Sequence, residues 1–349
     1  MCYNITVIVP VLNEKNYING FLDSLFRQDY PKKMTEVLFA DGGSMDGTVE
    51  MIRARMERQP GLHLHYRILN NKGRTAPCAM NLGIKESSGE IIVRMDAHRE
   101  YPSNYISKCV YYLTTTDADN VGCPFVLRGR GYVGKCIEKV LTSAFGVGGS
   151  GFRKGNAYYA ENLKTEYVDT VPLGTFRKET ASRLGGFDER YPRAEDNDFN
   201  YRLRKAGGKV LLFKDIHTVC FCRSSVQELV RMGFGNGESV GEVFWKAPGT
   251  ISFRHMIPFL FLLSLVVLAA GAANNGFFAS ILVAEIILYG IACITAAICS
   301  RVRIEMLPAV MLLFPALHFS YGIGTAAGLA KGLKSKVIKH DRFTKTSAD

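Results

Sequence analysis

Four runs of strand length, ITVIVPV (5–11), EVLFA (36–40), LHYRIL (64–69) and EIIVRM (90–95), alternate with helix-like stretches near 17–28, 46–58 and 76–87. No other feature limits the fold as much. A strand that is apolar on both faces must be covered on both, and helices placed between strands supply the cover. Crossovers of one hand then make neighbouring strands parallel. The expectation is an α/β domain with a mostly parallel central sheet. Such sheets bind ligands beyond the carboxyl ends of their strands, so the residues just after each run are the first candidates for a site.

After Phe221 the pattern changes. A glycine-containing stretch (223–255) reads as interfacial linker helices, followed by three apolar segments near 256–273, 277–298 and 306–330, with a single charge, Glu285, among them. Segments of about 20 apolar residues are long enough to cross a hydrocarbon core. The expected organisation is therefore a folded domain over 1–222, linker helices over 223–255, membrane-embedded helices over 256–332 and a basic tail over 333–349. The loop Asn274–Gly276 is uncharged, while Arg254, Arg301 and Arg303 flank the opposite ends. By the positive-inside rule the N-terminal domain then faces the cytosol, at the plasma membrane if the source is bacterial. Met1–Asn4 lead straight into the first strand without a cleavable leader, in keeping with that side. The third segment conflicts with a simple crossing, which would export Lys331, Lys334, Lys336 and Lys339. Pro315 and the glycines at 322, 324 and 328 offer a break into a re-entrant or interfacial pair.

A net charge of +11 with 47% hydrophobic residues suits a protein lying against an anionic membrane. Long uncharged stretches exclude an ordinary nucleic-acid binder. The nine cysteines lack C-x-x-C spacing, which excludes a metal knuckle and fits a reduced compartment.

Four acidic stretches fall where the sheet argument expects ligands: VIVPVLNE, LFADGGSMDGT, IIVRMDAH and PRAEDNDFNYRLRKAG. Each has a plain structural reading. Ser44 and Asp46 most simply cap a helix. Asp41 beside two glycines is turn chemistry, Asp96 and His98 end a strand, and Glu195 and Asp196 satisfy N–H groups of a first helical turn.

Together, in this order and spacing, PVLNE, ADGGSMDGT, NNKGRTAPCAMNLGIKESSGEIIVRMDAH and GTFRKETASRLGGFDERYPRAEDNDFNYRLRKAG resemble the family 2 glycosyltransferases over about two-thirds of the chain. HFSYGIGTAAGLAKG near the end is similar to the ExoA-like succinoglycan glucosyltransferases. The resemblance implies the GT-A nucleotide-sugar fold. It places Asp41 on the nucleotide base, with Pro10, Asn13 and Glu14 shaping that pocket, and Lys72 and Arg74 on ribose or diphosphate. Gly174 and Thr175 contact the donor sugar. Asp96 and His98 stand in the D-x-D metal position, where His departs from the pattern and favours Mn2+ over Mg2+. Asp196 is the catalytic base, with Glu195 orienting the acceptor or its loop. Gln227 and Arg231 are candidate acceptor or diphosphate contacts, although QELVR lacks the Q-x-x-R-W of processive members.

The expected activity is an inverting hexosyltransferase that moves one sugar, glucose or a related hexose, from a UDP-sugar to a lipid-linked saccharide during exopolysaccharide or surface-glycan synthesis. A polyprenyl-phosphate sugar synthase and a non-catalytic membrane scaffold on a transferase fold are the alternatives.

Overall fold

The computed structural model describes residues 3–59, 61, 63–148, 165–191, 193, 195–246, 251 and 253–346. The chain divides into two compact units, residues 1–126 with 155–221, and residues 127–154 with 222–349.

In the first unit, β1 (Ile5–Val11), β2 (Thr35–Asp41), β3 (His65–Asn70) and β4 (Ile91–Arg94) lie parallel in the order β3-β2-β1-β4. Helices α1 (Ile18–Phe26), α2 (Thr48–Glu57) and α3 (Ala76–Glu86) connect them, as the alternating pattern predicts. Val7, Val9, Val37 and Phe39 are wholly buried. Each such side chain contributes roughly 1.5–3 kcal/mol by leaving water. β3 differs from its expected covering: it is the sheet edge and half exposed, with Arg67 reaching Glu36 at 3.1 Å.

Beyond β4 the direction reverses. β9 (Thr175–Arg177) inserts antiparallel between β4 and β6 (Asn120–Gly122). β10 (Val210–Leu212) and β8 (Glu166–Tyr167) complete eight strands in the order β3-β2-β1-β4-β9-β6-β10-β8. A small sheet joins β5 (Arg99–Glu100), β11 (Thr218–Phe221) and β7 (Phe125–Arg128). Helix α4 (Tyr105–Thr115) follows β5, and α7 (Lys178–Arg183) and α8 (Glu195–Lys205) follow β9.

The second unit holds α5 (Gly131–Thr142), α6 (Ala144–Val147), α9 (Val226–Lys246), α10 (Ile257–Ala272), α11 (Gly276–Cys299) and α12 (Leu307–Thr346). Among the described residues two helices, α11 and the apolar part of α12, are long and apolar enough to cross a membrane. At 1.5 Å per residue α11 reaches about 36 Å and α10 only about 24 Å, against a hydrocarbon core near 30 Å. Phe277, Ile281, Val283, Ile287, Leu288 and Ile291 of α11 are exposed, so it is not the core helix of a soluble protein. Its one charge, Glu285, accepts from the Ser264 hydroxyl of α10 at 2.6 Å.

The third apolar segment does not break at Pro315 or its glycines; α12 runs on as one helix. Gly324 and Gly328 instead permit close approach of α9, and Gly322 that of α10. A Cβ on Gly237 would collide with the Tyr321 carbonyl, and one on Gly328 with the Glu238 carbonyl. Packing gained at such a seam offsets the helix propensity that glycine lacks. The imidazole of His318 ties α6 to this bundle, bonding the Phe145 carbonyl at 3.0 Å and the Tyr289 hydroxyl at 2.9 Å.

Candidate active site

The carboxyl ends of β1 and β2 are latched together. Asn13, at φ 56° in the left-handed region that Asn tolerates, donates its N–H to Ser44 Oγ at 2.9 Å and accepts from the Met45 N–H at 2.9 Å. The Glu14 N–H reaches Thr48 Oγ1 at 2.9 Å, and the Lys15 N–H reaches Asp46 Oδ2 at 3.0 Å. Ser44 is thus no helix cap. The N-cap position of α2 is Gly47, and Asp46 accepts from the Thr48 N–H at 3.1 Å. The Asp41 carboxylate accepts from the Gly43 N–H at 3.0 Å and the Ser44 hydroxyl at 2.6 Å, which orders its own turn.

After β3 the chain turns tightly. Asn71 donates its N–H to the Asp41 carbonyl at 2.8 Å and its amide to the Thr75 carbonyl at 3.0 Å. Arg74 adopts φ 56° there, and α3 starts immediately afterwards with Thr75 at its cap and no side-chain cap bond. A helix start with free N–H groups beside an arginine favours an anion. A cleft of about 170 Å³ opens between this turn and the end of β1; Pro10, Glu14, Arg74, Arg94, Asp96 and His98 are among its lining.

At the cleft floor lies Arg94, the last residue of β4 and almost fully buried. Its Nε donates to Asp96 Oδ1 at 3.0 Å, and Nη1 donates to Asp196 Oδ1 at 2.9 Å. Nη1 and Nη2 both reach Glu195 Oε1 at 3.2 Å. Arg99 lies 3.8 Å from Asp96 Oδ2. One guanidinium therefore joins strand β4 to the first turn of α8, about a hundred residues away.

Three carboxylates face two guanidinium groups, and the charge imbalance falls on α8. Burial pushes the Glu195 carboxyl up to about 7, against Arg94 and with help from the Asp196 charge. Asp196 is raised as well, by burial first, with Arg94 opposing. A helix N-terminus by itself would hold the Asp196 carboxyl low; here burial and the neighbouring acid outweigh the dipole. Asp96 goes the other way. Burial works to raise it, but Arg94, His98 and Arg99 hold it at about 2. Leu173, buried and at φ 55°, presents its backbone N–H toward the Asp196 carboxylate, which works to lower it.

His98 Nδ1 lies 3.2 Å from Glu14 Oε1. A carboxylate accepting from Nδ1 leaves Nε2 with its lone pair, the tautomer a metal-binding imidazole needs. Asp96, ionised, and His98 line the same cleft, so the donor set fits a divalent ion whose remaining positions come from a ligand or water. Among the described residues no group of three or more metal-binding side chains occurs.

The cleft thus gathers Pro10, Glu14, Arg74, Asp96 and His98; Asn13 and Asp41 do not line it and bond within the turns after β1 and β2. Glu195 and Asp196 join it through Arg94. Lys72 is exposed on the same turn but does not line the cleft. Thr175 does not reach it either: it is wholly buried within β9, and neighbouring Gly174 packs against the Asn120 side chain. Gln227 and Arg231 belong to α9, in the second unit, whereas every cleft residue belongs to the first. The motifs passed over Arg94. Its signal was a charge inside EIIVRM, because a charge in a buried strand must be paired.

An eight-stranded, mostly parallel sheet with a cleft of mixed charge at its carboxyl edge defines an α/β enzyme scaffold. Residues 6–136 match the glycosyl transferase family 2 model, so the chain carries a family 2 glycosyltransferase domain and is a sugar-transferring enzyme. It is 29% identical over 255 residues to the succinoglycan biosynthesis protein ExoA of Rhizobium meliloti, covering 72% of this chain and 73% of that protein. It is 26% identical over 272 residues to a dolichyl N-acetyl-alpha-D-glucosaminyl phosphate 3-beta-D-2,3-diacetamido-2,3-dideoxy-beta-D-glucuronosyltransferase of Methanococcus voltae, covering 76% and 81%. Among solved structures, the mannosyltransferase PcManGT of Pyrobaculum calidifontis, in complex with GDP-Man and Mn2+, superposes with a TM-score of 0.58 at 21% identity, covering 93% of this chain and 88% of that one. The fold is GT-A-like.

Proposed function

We propose that the cleft transfers one sugar, with inversion, from a nucleoside diphosphate donor to a lipid-linked saccharide at the cytosolic membrane face. One observation carries the reading: Arg94 bonds Asp96 and Asp196 at once. The donor end of the site and the proposed base form one ion-paired unit.

The diphosphate lies over the Asn71–Ala76 turn, where Arg74 and the Ala76 N–H at the start of α3 meet it. Asp96 and His98 would hold a divalent cation, which neutralises charge on the departing diphosphate when bound. Mn2+ in the PcManGT complex agrees with that donor set. Asp196 takes the proton of the incoming hydroxyl. Its raised carboxyl, held in place by Arg94, is a better base than a surface aspartate. Glu195 beside it carries or releases a proton near neutrality.

Support for a glycan product and a lipid-bound acceptor comes from the ExoA and dolichyl-linked relatives. The exposed apolar surface of α11 supports membrane association. The donor is a UDP-hexose in this reading. The test is Asp196→Asn in purified full-length protein, with UDP-sugars, Mn2+ and either a lipid-linked saccharide or polyprenyl phosphate. Transfer to the saccharide should drop roughly 100- to 10,000-fold, the range lost with a general base, while UDP affinity stays within a few-fold. Wild-type turnover in the Asn variant would remove Asp196 from the chemistry. Transfer to polyprenyl phosphate alone would instead identify a polyprenyl-phosphate sugar synthase.

A further inference from the structure

The sequence GGFDER was absorbed above only as the approach to α8, yet its turn is clamped from two sides. Asn81 of α3 pairs with the backbone of Phe187 in both directions. The Phe187 N–H donates to Asn81 Oδ1 at 2.7 Å, and Asn81 Nδ2 donates to the Phe187 carbonyl at 2.8 Å. The same Nδ2 reaches Glu189 Oε1 at 2.9 Å. A side-chain amide here does the work of one rung of a β-ladder, across 106 residues of sequence. Gly186, at φ 75°, has no room for a Cβ, which would sit 2.6 Å from Asn81 Oδ1.

From the other side Arg202 of α8 donates to the Leu184 carbonyl at 2.7 Å and the Gly186 carbonyl at 2.8 Å. Its Nε holds Asp198 at 2.8 Å. The Phe187 ring stacks on Phe199 of α8, with centroids 4.6 Å apart and planes 13° apart. Ile84 of α3, Phe187 and Phe199 share one buried cluster beneath the turn.

We infer that Asn81, acting through the Gly186–Phe187 turn and Arg202, is a positioning residue that sets the distance between the diphosphate turn and Asp196. This rests on the reading of Asp196 as base. The path is continuous: Thr75 and Ala76 line the cleft, and α3 starts with them and carries Asn81. Asn81 fixes the turn, the turn fixes Arg202 and Phe199, and those fix the helix whose first turn bears Asp196. Donor and base come from segments with no covalent neighbourhood, so their spacing must be imposed by such a clamp. A misplacement of about 1 Å costs on the order of 100-fold in rate.

The experiment compares wild type, Asn81→Ala and Asn81→Asp in full-length protein, reading turnover, UDP affinity by calorimetry and thermal midpoint. Asn81→Ala should lower turnover ten- to hundredfold, with UDP affinity within threefold of wild type. Asn81→Asp keeps the shape and the acceptor for the Phe187 N–H but loses the donor and opposes Glu189. It should also turn over slowly, and adding Glu189→Gln, which supplies a donor across that contact, should recover part of the loss. Wild-type turnover in Asn81→Ala overturns the inference. So does a parallel fall of turnover and UDP-binding capacity, which is the signature of general unfolding. If wild type and Asp196→Asn turn over alike, the base assignment fails first and takes this inference with it; if they differ while Asn81→Ala does not, only the inference fails.

Discussion

Arg94→Met gives the sharpest test of the ion-paired floor, because the size of its effect and its pH dependence follow from the same geometry. Methionine fills much of the arginine's volume and removes four hydrogen bonds to three carboxylates. Arg99, at 3.8 Å from Asp96, is then the nearest cation. The buried acids respond by taking up protons. For Glu195 this costs little, since its carboxyl already stands at about 7. Asp196 must follow, and its ordinary value is 3.8. Holding it neutral at pH 7 costs at most about 4 kcal/mol, from about 1.36 kcal/mol per pH unit, because its raised carboxyl already carries part of that cost in the wild type. That agrees with the roughly 3–5 kcal/mol for breaking a buried ion pair from one side. At pH 5 the same reasoning leaves only about 2 kcal/mol. Thermal unfolding of the solubilised full chain should show a midpoint lowered by roughly 8–16 °C at pH 7, and by about half that at pH 5. Arg94→Lys should fall between, because one ammonium cannot fork to three acids. A drop below roughly 3 °C at pH 7, or equal drops at both pH values, would show that the carboxylates do not depend on Arg94.

Glu195→Gln should remove a pH dependence of stability. The folded carboxyl stands at about 7 against an ordinary 4.5, so the native state holds a proton that the unfolded chain has released, and wild-type stability declines as pH rises between those values. The Gln variant should lose up to about 3 kcal/mol of that slope, measured by denaturant titration at pH 4.5 and 7.5; an unchanged slope would place the proton elsewhere. His98→Ala should weaken Mn2+-dependent UDP binding at least tenfold, and Glu14→Gln less so; calorimetry with and without Mn2+ decides, and equal affinities in all cases would deny His98 a metal role. Gly237→Leu should separate α9 from α12 and cost several kcal/mol, typical of overpacking against backbone, seen as a lower midpoint and faster proteolysis; a neutral result would mean the seam is looser than drawn.

The sequence alone marked the strands β1 to β4, because an apolar run of strand length between helical periods has few other ways to bury itself. It also marked the acidic stretches at their carboxyl ends, since in a parallel sheet position along the chain translates directly into position on an edge. The apolar lengths of α11 and α12 were legible for a similar local reason. Tertiary structure alone decided the rest. β3 is an open edge, β9 enters against the direction of its neighbours, and Thr175 is sealed inside it; strand order is a matter of which edges remain free, and no local pattern encodes that. The glycines of α12 looked like breaks because a sequence shows their missing side chains but not the helix that fills the space. Arg94 and Asn81 were invisible as partners, since each acts on groups about a hundred residues away. The proton balance of Glu195 and Asp196 followed suit: a helix start by itself favours the charged form, and burial in the assembled floor, where three carboxylates share two guanidinium groups, reverses it.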